Sequence, residues 1–273
     1  MSEKETHVSQ EEKKNGLSRR QVLGTTAVAA AAGAAGVAGG VSLKDAGVIT
    51  PAEAQTAPAA PAARPAAGTN KTEVKPGELD EYYVFFSSGQ TGEVRIVGLP
   101  SMRELMRIPV FNRDSATGWG LTDQSRKILT EGLTPESREY LKDKGGIYTA
   151  GDLHHPHLSF TDGTYDGRYL FVNDKLNTRV ARIRLDVMKC DKIIQLPNQH
   201  TVHGLRVQKY PRTGYVFCNG EDRVPIPNDG KILDDPKQYS SIYTAVDGDT
   251  MKVAWQIRVD GNLDNTDADY QGK

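Results

Sequence analysis

From residue 80 onward the sequence repeats one short unit, and that repeat constrains the fold more than any other feature. Tyr82–Phe86, the turn Ser87–Gly92 and Glu93–Val97 read as strand, turn, strand. Tyr169–Val172, Asn173–Thr178 and Arg179–Leu185 read the same way. Each pair is followed by a methionine-bearing turn, Leu99-Pro100-Ser101-Met102 or Asp186-Val187-Met188-Lys189, and by a further run ending near a proline, Pro109 or Pro197. A third copy passes through Tyr215–Phe217, Ile242–Val246, Asp247-Gly248-Asp249 and Val253–Val259. Short β-rich runs bounded by Gly, Asn and Asp are strands joined by turns. A meander of about four strands that recurs along the chain is a propeller blade. A β-sandwich would show such strands without the recurrence.

Chain length then limits how many blades fit. Roughly 190 residues follow residue 80, enough for about four blades at about 40–50 residues each. Leu121–Lys144 interrupts the repeat with Ile128, Leu129, Leu133, Tyr140 and Leu141 at helical spacing, and Thr134-Pro135-Glu136-Ser137 marks a second helix start. These residues predict one or two short surface helices outside the sheets. Residues 79–273 are therefore expected to be all-β, an incomplete β-propeller of about four blades with a short helical insertion.

The N-terminus carries a different message. Ser18-Arg19-Arg20-Gln21-Val22-Leu23-Gly24 precedes an uncharged Ala/Gly/Val stretch, Thr25–Val41, and Ala52-Glu53-Ala54 forms a small-x-small cleavage site. This predicts a twin-arginine export signal over 1–54 and a periplasmic destination. The apolar stretch is Ala/Gly-rich rather than Leu-rich, which weakens its burial energy per residue and argues against a stable membrane anchor. Residues 55–78, rich in Pro and Ala at their start, are expected to form an extended tether.

Composition excludes some partners. With 34 basic and 35 acidic residues the formal charge is −1, which gives no electrostatic reason to expect nucleic acid or an anionic membrane as partner. Two cysteines, Cys190 and Cys218, are too few for a disulfide framework and read as free core thiols.

The histidines point to metal chemistry. Five of the six fall in two windows, Asp152-Leu153-His154-His155-Pro156-His157 and His200-Thr201-Val202-His203-Gly204. Counting back from Tyr169 and Tyr215 pairs His157 with His203, 12 residues before, and His154 with His200, 15 before. Histidine thus recurs at the start of the innermost strand of successive blades, where propeller geometry lines the central channel. Neutral imidazole is a ligand for copper, zinc, iron and nickel. Adjacent His154 and His155 would face opposite ways on a regular strand, so both can serve one small ion only across a kink; a multinuclear site is easier to accommodate. No dinucleotide fingerprint, P-loop or nucleophile elbow is present, and the Asp/Gly turns lack EF-hand spacing.

Long contiguous segments resemble the nitrous oxide reductase family: GDLHHPHLSFTDGTYDGRYLFVNDK at 151–175, RVARIRLDVMKCDKIIQLPN at 179–198, HGLRVQKYPRTGYVFCNGEDRVPIPNDG at 203–230 and NLDNTDADYQGK at 262–273. The resemblance implies a seven-bladed propeller in a periplasmic homodimer that reduces nitrous oxide to dinitrogen and water in denitrification. It implies a four-copper sulfide cluster on seven histidines, a dinuclear copper site in a C-terminal cupredoxin domain, bound calcium, and an electron donor such as a cytochrome c or cupredoxin. Carried over by motif, His154, His155 and His203 are cluster ligands, and Asp152 orients a ligand imidazole. His157 and His200 match no ligand, although the internal count nominates them. The remaining four ligands, the calcium ligands and the dinuclear-site cysteines find no match before Lys273, so the sequence is expected to be the signal and first blades of a longer enzyme, inactive alone. Two other classes compete: a quinone-dependent propeller dehydrogenase, disfavoured by the paired histidines and by having only Trp119 and Trp255, and a non-enzymatic periplasmic propeller that binds a protein partner.

Overall fold

A computed structural model describes residues 72–226 and 236–273. The signal 1–54 and residues 55–71 of the tether lie outside them. Among the described residues the strands form three antiparallel sheets. The first is β1 (Tyr82–Ser87), β2 (Glu93–Leu99) and β3 (Glu104–Pro109) in that order. The second is β4 (Leu153–Thr161), β5 (Thr164–Asp174), β6 (Arg179–Arg184) and β7 (Lys189–Gln195). In the third, β8 (Val202–Val207), β9 (Tyr215–Gly220), β11 (Tyr239–Asp247) and β12 (Lys252–Val259) pair in succession, and the short β10 (Val224–Pro225) pairs with the start of β11. The length-based figure of about four blades exceeds these three sheets because the helical insertion and the excursion between β9 and β11 use up chain.

The methionine turns are the structural signature of the repeat. Met102, Met188 and Met251 all adopt left-handed backbone, with φ of 57°, 49° and 54°. In each sheet the register then slips by one residue in the following strand, leaving Leu105, Asp191 and Ala254 without an opposite number. Each bulge comes three residues after its methionine. Such bulges bend the strand and increase its twist.

The middle sheet is covered on both faces, as the alternation of its side chains requires. Leu170, Val172, Ala181 and Ile183 pack with Val94, Ile96 and Ile108 of the first sheet. Phe171 and Val180 point the other way, into a cluster with Val202, Leu205, Val216 and Val246 of the third. Cys190 joins the first cluster and Cys218 the second, both as free thiols whose acidity burial suppresses.

The insertion forms two helices, α1 (Asp123–Glu131) and α2 (Pro135–Leu141). Thr122 and Ser125 form a reciprocal cap at α1, and Thr134 caps α2 ahead of Pro135, satisfying amides that a first helical turn leaves unpaired. Leu129 buries fully in the first core cluster, worth about 2 kcal/mol of burial. Gly132 bridges to Ile194 of β7 so closely that a Cβ there would lie 2.1 Å from the Ile193 carbonyl oxygen. The helices thus lie outside the sheets, and α1 packs on the last strand, β7, of the middle one. No helix among the described residues is long and apolar enough to cross a membrane.

Candidate metal centre

The two histidine windows open β4 and β8, the innermost strand of the second and third sheets. Strand pairing shows which residues are equivalent. Tyr169 pairs with Arg184 and Tyr215 with Asp247, each four residues before its methionine, so Tyr169 and Tyr215 correspond. Asp174 and Gly220 then correspond as well. Leu153 pairs with Asp174, and Val202 with Gly220. His154 is therefore the equivalent of His203, His155 of Gly204 and His157 of Arg206. The match obtained by counting back from the tyrosines is three residues out. The cause is hairpin length: Leu158 pairs with Leu170, twelve residues on, whereas Val207 pairs with Val216, nine residues on.

Adjacent histidines share a site because the strand kinks. His155 adopts φ 42°, and the β4–β5 register slips between His154 and His157. This left-handed residue swings the second imidazole to the side of the first. Ring centroids lie 5.9 Å apart for His154–His155, 5.4 Å for His154–His203 and 4.9 Å for His155–His203. One ligand nitrogen from each of the three lies within 4.8 Å of the others.

Carboxylates hold two of the rings by one nitrogen each. His154 Nε2 stands 3.1 Å from Asp152 Oδ2, and His203 Nδ1 stands 2.7 Å from Asp264 Oδ1. A carboxylate accepting the N–H of a neutral imidazole fixes its tautomer and leaves the other nitrogen's lone pair for a metal. His155 has its pKa lowered to about 4, first by burial and then by His203, Arg206 and His154, against the opposing Asp264. It is therefore neutral, as a ligand must be, across the physiological range. Three half-buried imidazoles suit copper, zinc, iron or nickel rather than a hard oxygen-seeking cation.

The other two histidines are engaged elsewhere. His157 Nε2 lies 2.8 Å from Arg206 Nη1, its own structural equivalent in the next sheet, and burial followed by that guanidinium lowers its pKa to about 4. His200 is 60% exposed on its side chain and pairs with Asp222 at 3.1 Å.

Sequence reasoning missed Asp264 and Glu221. With His203 these two make a second group of ligand-type atoms within 4.8 Å, but Lys175 Nζ already sits 2.6 Å from Glu221 Oε2. Asp264 reaches His203 because Asn219 Nδ2 donates to the Leu263 carbonyl at 2.5 Å. Asn173, at the corresponding place one sheet earlier, donates to the Val202 and His203 carbonyls at 2.6 and 2.9 Å. The only sequence signal was that residues 262–273 belong to a matching segment, which carries no role.

Comparison with known proteins bears on the same region. A family model described as nitrous oxide reductase propeller repeat 2 matches residues 196–265, which contain the third sheet. The chain is 52% identical to a nitrous-oxide reductase of Stutzerimonas stutzeri over 277 aligned residues, covering 100% of this chain and 39% of that protein. It is 51% identical to one from Pseudomonas fluorescens, covering 94% of this chain and 37% of the relative, and 44% identical to one from Cupriavidus necator, covering 94% and 39%. The chain thus spans about two fifths of the length of the curated relatives it matches.

Proposed function

Because this chain belongs to the nitrous-oxide reductase family, we propose that it supplies part of the copper centre at which nitrous oxide is reduced to dinitrogen and water, with His154, His155 and His203 among the ligands. The observation that supports this reading is the convergence of the three imidazoles, one of them turned inward by a left-handed backbone. Bound copper would supply electrons and a Lewis acid to the N–O bond being broken.

The chain's own part is to present and hold the donors. Asp152 fixes the His154 ring by Nε2, which leaves Nδ1 for the metal. Asp264 fixes His203 by Nδ1, which leaves Nε2. The 154 and 203 rings are held from outside the site, so neither is free to rotate away when a ligand nitrogen is pulled. His155 has no such partner and relies on its backbone and on burial, which keeps it unprotonated.

The same reading places a four-copper sulfide cluster at this site, with further histidines of the complete enzyme completing it. It also includes the calcium and dinuclear copper sites carried by parts of the family not matched here, a cytochrome c or cupredoxin as electron donor, and a homodimer. Residues 1–54 would direct twin-arginine export to the periplasm and 55–78 would form a tether ahead of the partial propeller domain 79–273. Copper titration tests the core of it. The parent should take up copper that the His154→Ala/His155→Ala/His203→Ala variant does not, and equal uptake by the two would refute the site.

A further inference from the structure

We propose that the buried Arg179–Asp174 pair is a positioning device for His154, acting through the backbone of Asp152; this rests on the reading of His154 as a ligand. Both side chains are 0% exposed, and Arg179 Nε donates to Asp174 Oδ2 at 2.6 Å. The Asp174 carboxylate accepts three further bonds, from Asp152 N at 2.8 Å, Leu176 N at 3.1 Å and Asn177 Nδ2 at 3.0 Å. Asn177 Nδ2 also donates to the Ala150 carbonyl at 2.8 Å, and Lys175 N to the Asp152 carbonyl at 2.9 Å. The segment that delivers the Asp152 side chain to His154 Nε2 is therefore pinned on both its amide and its carbonyl by residues 174–177.

The pair is a poor choice for stability alone. Arg179 Nη1 and Nη2 are buried with no hydrogen-bond partner, and the guanidinium rests between the rings of Phe111, 4.8 Å away, and Tyr148, 5.1 Å away. Desolvating such a group offsets most of what its ion pair returns, and apolar side chains of similar volume often serve as well. The third sheet demonstrates the point within the same molecule. Gly220 is the equivalent of Asp174, and one further step along the β9–β11 ladder places Ile242 at the position of Arg179. That sheet packs with no ion pair there, with Ile242 buried. Asp174 fixes the strand that carries two adjacent histidines and the kink between them; the strand of the third sheet carries one.

The test is Arg179→Met/Asp174→Leu in the full chain, which replaces the charges by apolar volume and deprives the Asp152 amide of its acceptor. It should still fold cooperatively, with an unfolding midpoint lowered only by the donors that Asp174 no longer satisfies. Deuterium uptake by the metal-free peptide spanning residues 150–155 should accelerate about tenfold, and release of copper to a chelator should quicken about tenfold, at the lower end of what outer hydrogen-bond partners of metal ligands contribute. Parent-like exchange and release in a variant that folds would overturn the proposal, because packing would then be the pair's whole role. Should the double variant not fold, Arg179→Lys, which keeps the charge and loses the Nε geometry, should show the same two accelerations in smaller measure, and their absence would equally overturn it. If the parent takes up no copper, the ligand reading falls, while the exchange arm still shows whether Asp174 holds Asp152.

Discussion

The first histidine window carries three imidazoles and the second two, yet only one position is common to both, that of His154 and His203. The windows solve the same problem differently. Both strands slip register by one residue here, but in the first a left-handed residue, His155, stands at the slip and brings a second imidazole beside that of His154. The second strand places glycine at that point, because a Cβ on Gly204 would stand 2.1 Å from Asn219 Oδ1. Where the first window has His157, the second has Arg206, and the two touch across the gap between sheets. The number of imidazoles that converge here is set by the backbone at one residue rather than by how many histidines the sequence offers.

The largest expected effect breaks or upholds that comparison directly. His154→Ala, His155→Ala and His203→Ala should each lose most of the copper bound per chain, while His157→Ala and His200→Ala keep it. Metal content and visible absorption of the five variants would decide this, and His200→Ala proving as damaging as His203→Ala would return the case to simple counting. Next in size is Gly204→Ala. The added methyl must displace the fully buried Asn219 side chain from the Leu263 carbonyl, at about 1–3 kcal/mol for overpacking of this kind, read from urea unfolding. Smaller is a crossing pattern between glycine and alanine. At residue 155, left-handed backbone should make His155→Gly more stable than His155→Ala by about 1 kcal/mol, with both equally poor in copper. At residue 203, inside a strand, the order should reverse by about 0.5–1 kcal/mol. The smallest effect is Asp222→Asn, which removes the charge from the exposed contact to His200; stability should move by no more than about 0.5 kcal/mol.

Much of this was legible before any coordinates. The strand–turn–strand units, the methionine turns and both helix starts lie within a few residues of where the sequence puts them, since turn chemistry and alternation are local signals. The meeting of His154, His155 and His203 was expected from the family's motif. Equivalence between blades was not legible, because it depends on the pairing across hairpins. A β4–β5 hairpin three residues longer than its β8–β9 counterpart shifts every count made from the second strand back to the first. The carboxylates that orient the rings divide in the same way. Asp152 sits two residues from the histidine it touches, within reach of a local motif; Asp264 sits 61 residues from His203, beyond one. Nor could sequence show that Asn173 of β5 grips the backbone at His203 in the next sheet.

That asparagine has a consequence for how the molecule assembles. Asn173 belongs to one sheet and grips the backbone of His203 in the next; Asn219 grips Leu263 one step further on. The histidine-bearing strand β8 is thus registered by the sheet before it as well as by its own. Coupling between the sheets runs both ways, since Phe160 N of the second sheet donates to Thr213 Oγ1 in the β8–β9 connection at 2.8 Å, in the manner of nearest-neighbour coupling in a linear array. A fault in the second sheet would misplace His203, and a fault in the β8–β9 connection would loosen the far end of β4.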